Sequence, residues 1–140
     1  DIVVEGIGDH GCEYMTGGRI VILGDVGKNF GAGMSGGIAY VLPSSAATFK
    51  ALCNIEMIEF AELEQKEEIA EVRKLIMEHV EQTNSSYAIE VLENWEQIVP
   101  HFVKVVPTDY KKMIDKINFH KMHGLTEEKA EMQAFVEATS

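Results

Sequence analysis

Met15-Thr-Gly-Gly-Arg-Ile-Val-Ile-Leu-Gly24 returns nineteen residues further on as Met34-Ser-Gly-Gly-Ile-Ala-Tyr-Val-Leu-Pro43, and Gly8 and Gly27 share that offset. Each unit is a glycine-rich turn followed by about five residues of strand-forming type. Ile20-Val-Ile-Leu23 is too short for a helix and rich in β-branched residues. Ile2-Val-Val4 reads as the strand of an earlier unit. Strands this short are held by stacking each repeat on the last, and the corners between them need positive φ or close backbone approach, which glycine supplies. The pattern predicts right-handed parallel β-helix coils over residues 1–60. Gly8, Gly11, Gly17, Gly18, Gly24, Gly27, Gly31, Gly33, Gly36 and Gly37 are the expected turn residues. Two units and a stub are fewer than the three repeats a solenoid normally needs, so further coils are expected upstream or from another chain.

Residues 61–140 change character, and they are expected to form a helical extension packed on the coils, the two parts making one domain. Eleven of the twelve glycines lie between Gly6 and Gly37, and Pro43-Ser-Ser-Ala-Ala opens the transition. Ile55-Glu-Met-Ile-Glu-Phe60 alternates imperfectly and predicts a last strand. Ile69, Val72, Leu75, Ile76 and Val80 fall at helical spacing, with Glu67, Glu71, Arg73, Lys74 and Glu78 on the other faces. Asn84-Ser-Ser is a break with capping residues. Ala88, Val91, Leu92, Trp95 and Ile98 or Val99 form a second stripe that Pro100 stops, and Phe102-Val-Lys-Val-Val106 reads as extended. A third helix is expected after Pro107, with Tyr110, Met113, Ile114 and Ile117 on its inner face. A short last helix past Gly124, capped by Thr126, would carry Met132, Phe135 and Val136.

The chain has 140 residues and a net charge of −11, with 12 basic side chains against 23 acidic ones. That balance argues against nucleic acid, whose phosphates call for clustered Lys and Arg, and against an anionic membrane surface. No stretch reaches the roughly 18 apolar residues of a membrane span, and nothing reads as a signal peptide. Cys12 and Cys53 make no disulfide framework, so a reducing cytoplasm is the simplest setting. The first residue is Asp1, which points to a processed product or a piece of something longer.

Two clusters invite sharper readings. Gly31-Ala-Gly33-Met-Ser-Gly36 matches the dinucleotide fingerprint, but that motif works only where a helix comes next, and Gly37-Ile-Ala-Tyr-Val-Leu is strand-like. Asp9, His10, Cys12 and Glu13 have metal-ligand chemistry without zinc-site spacing. Asp and His beside a tight turn more often bond the local backbone. Met15 and Met34 are expected to stack inside the coil, Trp95 and Tyr87 to pack helix onto coil, and the Glu-rich faces to meet water. His120 and His123 are assigned to a solvated helix end. No catalytic, cofactor-binding or metal-binding residue is assigned.

The run Gly8-Asp-His-Gly-Cys-Glu-Tyr-Met-Thr-Gly-Gly18, then Arg19 to Gly24 and Gly27-Lys-Asn-Phe-Gly-Ala-Gly-Met-Ser-Gly-Gly-Ile-Ala-Tyr-Val41, resembles the end of the GXGXG domain of glutamate synthase large subunits. Cys53 to Glu59, His79 to Thr83, Ala88 to Trp95, Phe102 to Lys111 and Gly124 to Ala130 are similar to the segments that succeed the β-helix in that family. The resemblance implies a C-terminal structural domain of an enzyme that converts glutamine, 2-oxoglutarate and reductant to two glutamates. FMN and an iron–sulfur cluster are then expected in the rest of the enzyme and none in this chain. The implied partners are the other domains or subunits of glutamate synthase, and the uncovered coil end favours a homo-oligomer. The alternative is a freestanding interaction module, or a subunit of another oxidoreductase complex resembling formylmethanofuran dehydrogenase.

Overall fold

The computed structural model describes residues 1–12, 15–56 and 58–108. The helices expected beyond Pro107, the pair His120 and His123, and Glu13 of the polar cluster lie outside the described residues.

The glycine-rich part supplies three parallel strands, β1 (Ile2–Val4), β2 (Thr16–Ile22) and β3 (Gly36–Val41). The register of β2 on β3 carries the nineteen-residue repeat, with Ile20 against Ala39, whereas β1 lies on β2 one residue short of it, with Ile2 against Ile20. The turns stack as well. Gly27 N–H donates to the Gly8 carbonyl (3.3 Å), Gly31 N–H to Gly11 (2.8 Å) and Ser35 N–H to Met15 (2.9 Å). Left-handed backbone repeats at the same interval, at His10 and Asn29, Cys12 and Gly31, and Gly18 and Gly37.

The stacking does not extend into a parallel β-helix. After β3 the chain forms α1 (Ala46–Leu52), which Ser45 caps by accepting from Thr48 N–H, inside the stretch expected to be coil. It then forms β4 (Ile58–Glu62), α2 (Lys66–Thr83), α3 (Ser86–Glu93), α4 (Trp95–Ile98), a 3-10 turn over Val99–His101 and β5 (Val103–Pro107). β5 pairs antiparallel with β3 on one side and with β4 on the other. The result is an open five-stranded mixed sheet in the order β1-β2-β3-β5-β4, and the fold is a small mixed α/β domain. The physical reason is occupancy of an edge. Cys53 forms a parallel bridge to Phe30, so the third layer begins in phase with the first two. But β5 holds the β3 edge that the next parallel strand would need, and β4 is left one strand further out.

The core lies on both faces of this sheet, as period-two alternation requires. Val21, Leu23, Tyr40 and Leu42 turn to one face, where Val72 and Ile76 of α2 and Ala88 and Val91 of α3 cover them. Ile22, Ala39 and Val41 turn to the other, against Val26, Phe30 and Met34 of the glycine-rich turns and Phe49 of α1. Met15 packs on the same cluster as Met34. Trp95 stands edge-on to Phe102 at 5.8 Å, joining the helices to the sheet, whereas Tyr87 is exposed. Asn84 ends α2 in the left-handed conformation and Ser85 caps α3.

Candidate functional site

The polar residues around the turns serve the backbone. The Asp9 carboxylate accepts from Lys28 N–H at 2.8 Å, and Asp25 accepts from both the N–H (2.8 Å) and the hydroxyl (2.6 Å) of Ser44. Each spans nineteen residues, so each carboxylate ties one layer to the next. The Ser44 hydroxyl, then its N–H, holds the Asp25 carboxyl below the usual range. His10 N–H donates to Lys28 O at 2.7 Å. Burial pushes the Cys12 thiol up to about 11 and Cys53 to about 12, so both stay protonated and poorly nucleophilic at neutral pH. Alkylation by iodoacetamide at pH 8 is expected to be slow at both in the folded chain and fast in denaturant. Rapid native labelling, followed by mass spectrometry, would contradict this. Among the described residues no three His, Cys, Asp or Glu side chains are grouped to hold a metal ion.

The Gly31–Gly36 run leads into β3, with Gly36 already its first residue. A strand rather than a helix therefore follows the run, which is not the strand–turn–helix setting of the dinucleotide fingerprint. The expected turn glycines divide by surroundings. A Cβ on Gly24 would meet Glu5 O, on Gly27 Asp9, and on Gly36 Thr16 O, each closer than any real Cβ contact. A Cβ on Gly11 would touch Ile7 at 3.0 Å, while one on Gly8, Gly17 or Gly18 would meet nothing within 4 Å. Gly31 and Gly33 have φ of 78° and 65°.

Three polar ties fix the helices to the sheet, and the sequence pattern showed none of them. Glu5, just past β1, faces His79 Nε2 at 2.9 Å and accepts from the Ser85 hydroxyl at 2.8 Å. Glu68 of α2 accepts from the Tyr40 hydroxyl (2.9 Å) and pairs with Lys104 (2.7 Å). Arg19 of β2 pairs with Asp1 and with Glu71, so Glu71 is not on a purely solvated helix face. His79 first, then Ser85, lowers the Glu5 pKa. A carboxyl with a depressed native pKa adds stability that is full above its unfolded value of roughly 4.3 and is lost as pH falls through the native one. Melts taken from pH 6 down to 3 should therefore fall more steeply for the parent than for Glu5→Gln. Parallel curves would refute the tie.

The outer edge of β1 is open in the described sheet. Ile2 is 59% exposed, and a groove flanks the strand on either face. One, of about 260 Å³, lies between Ile2 and Leu75, His79 and Gln82 of α2. The other, of about 300 Å³, is floored by Met15 and Ile20. The first groove is mainly polar, with Asp1 and Glu78 on its wall, and the second mainly apolar; an open strand edge with grooves on its two faces is what an added strand requires.

The GXGXG motif family matches residues 1–108. The chain belongs to this family. It is 55% identical over 135 residues to the glutamate synthase [NADPH] large chain of Bacillus subtilis, covering 96% of this chain and 9% of that protein. It is 48% identical over 114 residues to glutamate synthase [NADH] of Schizosaccharomyces pombe, covering 81% of this chain and 5% of the relative. A ferredoxin-dependent glutamate synthase of Spinacia oleracea is 42% identical over 107 residues, 76% of this chain and 6% of that protein. The chain thus corresponds to a small segment of each relative. No helix among the described residues is long and apolar enough to cross a membrane.

Proposed function

We propose that this GXGXG chain is a structural, assembly segment of a cytoplasmic glutamate synthase, the enzyme that makes two glutamates from glutamine, 2-oxoglutarate and reductant. The observation that carries this reading is the 55% identity across nearly the whole chain to one stretch of a glutamate synthase large chain. In this reading the amidotransferase nucleophile, the FMN site and the iron–sulfur cluster belong to the rest of the enzyme. The protonated thiols of Cys12 and Cys53 and the strand after Gly36 support that division. The open edge of β1 is the docking surface, where a strand from the neighbouring part of the enzyme pairs with Ile2–Val4 and sets side chains into the two grooves.

Two measurements test this. The purified chain should show no flavin absorbance and release no ammonia from glutamine; a yellow or glutaminase-active sample would overturn the assignment. Ile2→Lys, placed in the whole enzyme, should lower assembled, active protein, whereas the exposed Glu81→Gln should not. Equal yields from both would remove β1 as the docking edge.

A further inference from the structure

We draw no further inference here: the strongest candidate, the pair of grooves along the open edge of β1 where Ile2 is exposed, belongs to the docking surface already described, and nothing in the structure shows a different occupant.

Discussion

Gly37→Ala should destabilise the chain much more than Gly18→Ala, although the two positions have nearly the same backbone. Their φ angles are 82° and 79°, a region where an L side chain costs about 1–2 kcal/mol. That term is common to both. The surroundings differ. A Cβ on Gly18 meets nothing within 4 Å, because it lies at the open end of the stack. A Cβ on Gly37 would come within 2.9 Å of the backbone oxygens of both Gly17 and Gly18, and 2.6 Å from Met15 Cε. The methionine end can swing aside. The carbonyls cannot, because they belong to the stacked layer beneath. Adding overpacking to strain gives about 2–5 kcal/mol for Gly37→Ala, and Gly37→Val should be worse. The two alanine variants should differ by roughly 10 °C in thermal melts, with Glu81→Gln melting like the parent. If Gly37→Ala and Gly18→Ala melt together, layer contact plays no part and only backbone strain remains. A phosphate-binding role for this loop would instead leave the fold of Gly37→Val intact.

That contrast marks how far the sequence could be read. The nineteen-residue offset between Met15 and Met34 gave the parallel register of β2 on β3, because both depend on the same local turn. The left-handed pairs at His10 and Asn29, and at Cys12 and Gly31, keep that offset too, but only the glycines announce themselves by residue type. The step from stacked strands to a β-helix failed because it assumed that each new strand joins the last. β5 comes from far along the chain, and nothing local in Val103–Pro107 says that it will take the β3 edge antiparallel. Helix α1 had a signal: Ser45 before Ala46-Ala47 is an N-cap pattern. Its seven residues bury only Phe49, too little for a periodic stripe to show.

The amphipathic helices were more legible. The spacing of Val72 and Ile76 on α2, and of Ala88 and Val91 on α3, identifies the side that meets the sheet, and all four are buried there. The ties at Glu5, Glu68 and Arg19 were not, because each joins residues distant in sequence whose charge alone suggests a solvated surface. The docking edge has the same limit. Ile2-Val-Val4 reads as a strand from its residues, yet its open side depends on which neighbour the sheet provides.

Phe30→Ala should cause the other large loss, about 3–5 kcal/mol. Phe30 is fully buried and stands edge-on to Phe49 of α1, with ring centres 5.4 Å apart. Phe49 in turn meets Phe60 of β4 at 6.1 Å. The backbone of Phe30 lies at the same junction: it donates to Leu52 O (3.3 Å) and accepts from Asn54 N–H (2.9 Å). One residue thus anchors the third layer by main chain and by ring. Truncation empties the middle of the cluster that also holds Ile22, Met34 and Val105, and Ile22 and Val105 are fixed by the strand pairing of the sheet, which limits how far the cluster can collapse. Since whole domains are stable by only about 5–15 kcal/mol, the variant should melt far below the parent or fail to fold. Phe30→Leu keeps most of the volume but loses the ring contact, and should cost roughly 1–2 kcal/mol. Urea titrations of both variants read the order directly. A Phe30→Ala chain as stable as Phe30→Leu would mean that α1 is not held through this ring, and that the backbone bonds alone carry the third layer.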